Sequence, residues 1–186
     1  MKKRAVIVFL CLLLGGCFGR SSELETGMEL RSKLLQASEC SFDAEITADY
    51  GDKIHTFAMH CRMDPNGDIQ FRVTQPDTIS GIAGTLSGNG GEITFEDTAL
   101  HFELLAEEQL SPISAPWILL KTLSAGYITS ACEENGFVRL SIDDSYDEDP
   151  LRLDIWLNQQ KVPEHAEILY DGRRILSVDV ADFQIL

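Results

Sequence analysis

From Phe42 onward the chain alternates. Phe42, Ala44, Ile46, Ala48 and Tyr50 are apolar or aromatic, and Asp43, Glu45, Thr47 and Asp49 stand between them. Successive strand side chains point to opposite faces, so this segment reads as a strand with one buried and one wetted side. After Gly51-Asp52 the apolar positions change parity, to Phe57, Met59, Cys61 and Met63. A two-residue turn pairing Tyr50 with Lys53 sets even positions opposite odd ones, which the change of parity requires. Turn and pattern therefore agree on one register. That register places Phe42 opposite Cys61 and Cys40 one diagonal step away. Diagonal neighbours lie roughly 7–8 Å apart, whereas a disulfide needs Cα atoms within about 6.8 Å. Cys40 and Cys61 are expected to be free, buried thiols, and Cys132 to be free as well.

The same grammar continues. Asp64-Pro65-Asn66-Gly67-Asp68 suits a type I turn with glycine in the left-handed position, and it leads into Ile69, Phe71 and Val73. Shorter strands are predicted near 79–87, 91–96 and 99–105, then near 127–133, 137–143, 151–158, 162–170 and 174–185. Two helices interrupt them. Thr26, three residues before Glu29, has capping-box spacing, and Leu30, Leu34 and Leu35 follow at helical intervals, which predicts a helix over 27–37. A second helix is expected after Ser114 as cap, with Pro116 in its first turn and Trp117, Leu120 and Leu123 near one stripe. About eleven antiparallel strands cannot lie flat and bury a face. The expected fold is mainly β (α+β): a curved sheet or half β-barrel closed by the leading helix and the inserted one.

The first residues carry a different message. Met1-Lys2-Lys3-Arg4 is a positive n-region, Ala5 to Leu14 is apolar, and Gly15-Gly16-Cys17 follows. This is the layout of a secretory signal, and it falls short of the about 20 apolar residues that cross a bilayer. Residues 1–16 are expected to be a signal peptide, 17–26 a lipidated N-terminus with a short linker, and 27–186 one folded domain. The formal charge is −15, and loss of Lys2, Lys3 and Arg4 makes the remainder more negative still. Phosphates would repel such a chain, so nucleic acid is not an expected partner. Cys40, Cys61 and Cys132 show neither CxxC nor Cys/His spacing, which argues against zinc.

Leu14-Gly15-Gly16-Cys17 resembles the bacterial lipobox. That resemblance implies a diacylglyceryl thioether on Cys17, export, and anchoring at the outer face of the cell membrane, or at the outer membrane where there is one. Two stretches are similar to the LolA/LolB superfamily and to the germination lipoproteins typified by GerS. One is Gln75-Pro76-Asp77-Thr78-Ile79-Ser80-Gly81-Ile82-Ala83-Gly84; the other runs from Leu153-Asp154-Ile155-Trp156-Leu157 through Pro163, Glu167-Ile168 and Tyr170 to Phe183. The order of helix, long paired strands, short strands, Pro-containing helix and closing antiparallel run is also alike. The resemblance implies a half-open barrel with helices as a lid over an apolar cavity. It implies acyl-chain carriage in the LolA manner or binding of a cell-wall enzyme in the GerS manner. The carriers latch their lid with an inward arginine, and here Arg62 and Arg72 fall on outward positions.

No catalytic signature is present. His55, His60, His101 and His165 form no HExxH, and there is no GxSxG or P-loop. Asp143-Asp144-Ser145-Tyr146-Asp147-Glu148-Asp149 alternates oxygens as a calcium loop would, but Glu148 occupies the position where an EF-hand needs glycine. An acidic hairpin loop is the expected reading, with no metal and no cofactor. Phe42, Ile46, Phe57, Met59, Met63, Phe71, Trp117, Ile155 and Ile168 share the inner face. They either fill a core or line a cavity, and methionines and aromatics suit a deformable apolar site. The function expected is a non-enzymatic, membrane-anchored protein binding acyl chains, lipid or another apolar ligand. The alternative is a lipoprotein that binds and regulates a peptidoglycan-processing enzyme of the cell envelope.

Overall fold

The computed structural model describes residues 21–95, 98–102, 105–106, 109–147 and 150–186. The chain opens with helix α1 (Ser22–Gln36). It starts earlier than the capping-box spacing at Thr26 predicts. The Ser21 hydroxyl accepts the Leu24 N–H and caps the helix, while Thr26 Oγ1 donates to the Ser22 carbonyl within it. Glu23 and Glu25 in the first turn favour the earlier start, because they meet the positive end of the helix dipole.

Strands β1 (Cys40–Asp49), β2 (Ile54–Met63) and β3 (Ile69–Gln75) follow. The hairpin register is the one the sequence requires. Tyr50 N–H donates to Lys53 O at 3.0 Å, and Phe42 stands opposite Cys61, Ile46 opposite Phe57 and Cys40 opposite Met63. Cys40, Cys61 and Cys132 are free; the first two are buried and Cys132 is exposed. Gly67, at φ +85, closes the next turn, its N–H donating to Asp64 O.

Next come β4 (Ala83–Ser87), β5 (Gly90–Phe95) and β6 (Thr98–Phe102). The strand expected from residue 79 begins only at Ala83. Pro76 has no N–H to give a ladder, and residues 76–82 instead fold into a turn, with Gly81 at φ +89 donating to Val73 O. The strand expected to reach 105 ends at Phe102, and a small hairpin, β7 (Leu105–Ala106) with β8 (Gln109–Leu110), follows.

A 3-10 turn (Pro112–Ser114) runs into α2 (Ala115–Ala125). Ser114 does not cap it through its side chain. Its buried hydroxyl donates back to Ser111 O, because the preceding 3-10 turn already holds it in helical backbone. Strands β9 (Tyr127–Glu134), β10 (Phe137–Asp143), β11 (Arg152–Leu157), β12 (Pro163–Tyr170) and β13 (Arg173–Ile185) complete the chain.

The large sheet has eleven strands in the order β6-β5-β4-β3-β2-β1-β13-β12-β11-β10-β9, all antiparallel. It is curved and unclosed, with β6 and β9 at its edges. Both helices lie on its inner face, α1 against β9 and β10, α2 against β10 to β13. Leu30 and Leu34 of α1 and Leu119, Leu120 and Leu123 of α2 are sealed against Phe42, Ile46, Leu140, Ile142, Ile155 and Ile168. Each such buried side chain contributes roughly 1.5–3 kcal/mol from removal from water, which is what holds the helices down.

Candidate functional site

The two helices form a lid, and one arginine ties them together. Arg31 of α1 donates from Nε to Leu123 O (2.8 Å) and from a terminal nitrogen to Gly126 O (2.9 Å), where α2 ends. A helix leaves its last carbonyls unsatisfied, and a cation there also meets the negative end of the dipole. Burial lowers the pKa of Arg31 from the ordinary guanidinium value, which leaves it charged. Sequence reading passed over Arg31; the available signal was its place beside the apolar stripe Gly27, Leu30 and Leu34.

A groove of about 380 Å³ opens along the other flank of α2. It is lined by Trp117, Ile118, Lys121 and Thr122 of α2, by Leu110, Leu151 and Tyr170, and by Asp144, Ser145 and Asp147 of the acidic loop. Its surface is predominantly apolar. Two neighbours share its walls. A groove of about 290 Å³ adjoins it across Leu110 and Tyr170. Another, of about 390 Å³, adjoins it across Trp117 and Lys121 and runs between Leu34, Leu35, Met63 and the Asp64–Asp68 turn. The three form a trough along the lid. The Tyr50 hydroxyl, donating to Leu110 O at 2.9 Å, ties the β7–β8 hairpin to the main sheet and fixes one bank.

Phe42, Ile46, Met59, Phe71, Ile155 and Ile168 are packed beneath the helices with almost no exposure, and Phe57 is half-buried against them. Of the inner-face residues singled out from the sequence, Trp117 and Met63 line the trough. Leu110, Lys121, Leu151 and Tyr170 were not foreseen, because the trough runs where loop and helix meet the sheet, and strand alternation does not mark that seam.

In the acidic loop, Asp143 is held by Arg152 (2.8 and 3.3 Å), Asp144 accepts the Leu151 N–H (2.9 Å) and Ser145 Oγ accepts the Asp147 N–H (3.3 Å). Glu148 and Asp149 lie outside the described residues, as does Cys17. Among the described residues no three His, Cys, Asp or Glu side chains gather as a metal-ligand set, and no helix is long and apolar enough to cross a membrane.

The convex face carries its own cluster. Arg139 stands opposite Trp156, and Trp156 opposite His165. The guanidinium lies 5.0 Å from the indole centre and donates to Asp154 (2.7 Å) and Glu134 (3.3 Å). The Trp156 N–H also donates to Glu134. Arg62 and Arg72 are exposed on this same side, Arg62 paired with Glu39.

A curved, unclosed antiparallel sheet lidded by two helices, with a trough at the lid, is a half-barrel. Solved structures similar to this chain include a LolA superfamily protein from Nitrosomonas europaea (9% identity, TM-score 0.47, 86% of this chain and 93% of that one). They also include the lipoprotein LppX from Mycobacterium tuberculosis (11%, 0.41, 87% and 93%). A third is a chain in the complex of the CwlD amidase with the GerS lipoprotein from Clostridioides difficile (14%, 0.44, 89% and 96%). No family profile and no curated protein matches the sequence.

Proposed function

We propose that this chain is an exported, non-enzymatic lipoprotein, anchored through a diacylglyceryl group on Cys17, that binds an acyl chain or another apolar ligand at its lid. The observation that carries this is the trough. Its main groove of about 380 Å³ falls within the roughly 300–1,000 Å³ of small-molecule sites. The closely packed residues beneath the helices serve as its floor, and Trp117 and Met63 are the inner-face side chains that meet the ligand. Ser21 is the fourth residue after Cys17. At 3.3–3.6 Å per residue the anchor holds the domain within roughly 14 Å of the bilayer surface, close enough to exchange an acyl chain with it.

The chain has two tryptophans, so in a Trp156→Phe background Trp117 is the sole reporter of the trough. Adding a fluorescent fatty acid should quench its emission saturably, and Trp117→Ala should weaken binding about tenfold, as loss of a large buried contact area does. Unchanged emission and unchanged affinity would overturn the reading.

The convex cluster favours a second reading, docking of a cell-envelope enzyme, because tryptophan and arginine are the residues that most often anchor protein interfaces. Native mass spectrometry of the protein taken from its own membrane separates the two. Co-purifying lipid supports the first. A stoichiometric polypeptide that Trp156→Ala removes, with lipid absent, supports the second.

A further inference from the structure

The main groove is predominantly apolar but not uncharged. Lys121 stands on the ridge between two of the trough's grooves, with its ammonium 6.0 Å from the centre of the Trp117 ring. Among the described residues it makes no ion pair. In the lining of the same groove, Asp144 and Asp147 have no cationic partner among the described residues, whereas the adjacent Asp143 is neutralised by Arg152. One backbone N–H occupies one oxygen of Asp144, and the Asp147 carboxylate is exposed. Ile118, Leu110, Leu151 and Tyr170 supply apolar surface in the same groove.

In the main groove a wholly anionic ligand would meet two carboxylates for one ammonium, on a chain whose formal charge is −15. A wholly cationic one would leave Lys121 facing like charge in a low-dielectric groove. A ligand carrying both signs satisfies both. We infer that the trough selects a single-chain zwitterionic amphiphile, its phosphate at Lys121, its ammonium at Asp144 and Asp147, and its acyl chain along Leu110 and Tyr170. This rests on the apolar-ligand reading above and adds the class of headgroup. The step is non-covalent: charge-assisted hydrogen bonds form at the rim and apolar area is buried below.

The test uses a monoacyl glycerophosphoethanolamine and the monoacylglycerol of the same chain length, both below their micelle concentrations, displacing an apolar dye from the full chain. The zwitterion should bind about tenfold more tightly than the uncharged amphiphile, the gain expected of charge-assisted bonds at a rim. Lys121→Met and Asp147→Asn lie at exposed positions and should each remove most of that advantage. The readout is the ratio of zwitterion to monoacylglycerol affinity within each variant, which divides out any effect the substitution has on the apolar part of the groove. The free fatty acid should bind more weakly than the zwitterion. Equal binding of zwitterion and monoacylglycerol, tighter binding of the fatty acid, or equal loss for every ligand in the variants would overturn the headgroup assignment and leave the acyl site standing. Failure of every amphiphile to displace the dye would overturn the acyl site, and the headgroup assignment with it.

Discussion

The guanidinium of Arg31 crosses from α1 to two backbone oxygens at the end of α2. Among the described residues no other side chain bonds both oxygens, and a hydrogen bond from a charged donor contributes roughly 1.5–3 kcal/mol. Arg31→Met should therefore lower stability by about 2 kcal/mol, read as a shift in the urea midpoint. Arg31→Lys should recover only part, since an ammonium has no planar fork to span two acceptors. The two buried thiols make a pH prediction. Burial pushes Cys40 up to about 12, with Glu39 adding to it. Burial likewise raises Cys61, helped by Asp43 and by Cys40. Unfolded, both would ionise near about 8.5. Above that pH the unfolded chain has released protons the folded one retains, so stability is full below about pH 8.5 and falls as pH rises toward the folded values. Urea midpoints from pH 8 to 10.5 should decline, and a Cys40→Ala/Cys61→Ala double variant should show a shallower decline. In the native protein at pH 8, iodoacetamide should modify Cys132 alone.

At the scale of elements, α1 approaches the sheet where it has no side chain. A Cβ on Gly27 would lie 2.7 Å from Leu140 Cδ1. Gly27→Val should push the helix off β10 and cost about 1–3 kcal/mol, the usual penalty of overpacking; calorimetry checks this, and an unchanged melting temperature would mean the helix floats. What the sequence made legible follows from how much each element depends on its own pattern. The β1–β2 hairpin was readable to the residue because turn length and parity constrain each other, and the place of Cys61 opposite Phe42 came with it. The start of α1 was misplaced because two serines and a threonine all offer cap chemistry, and which one acts depends on where the helix lands on β9 and β10. The β7–β8 hairpin left no pattern, since two residues cannot show alternation. The trough escaped for a related reason. Leu110, Lys121, Leu151 and Tyr170 come from a hairpin, a helix, a loop and a strand, and periodicity within each strand or helix cannot say which residues meet at a seam.

The molecule as a whole is proposed to hang from Cys17, and Cys17→Ser should release it from the detergent phase while leaving its melting temperature within about 1 °C, because a surface substitution away from the fold shifts stability little. A variant that keeps its membrane partition with the signal removed would refute the anchor. The position of β1 has a further consequence, one of timing. β1 lies between β2 and β13, and Ser38 and Glu39 are hydrogen-bonded to Leu186, the last residue of the sequence. Under the export proposed above, β1 would emerge before β13, with one flank bare until that strand is available. Long-range pairing of this kind is slow, and no partial length of the chain can complete the centre of the sheet. Such a domain cannot close the centre of its sheet before β13 is available, which would keep it threadable during the export proposed for it.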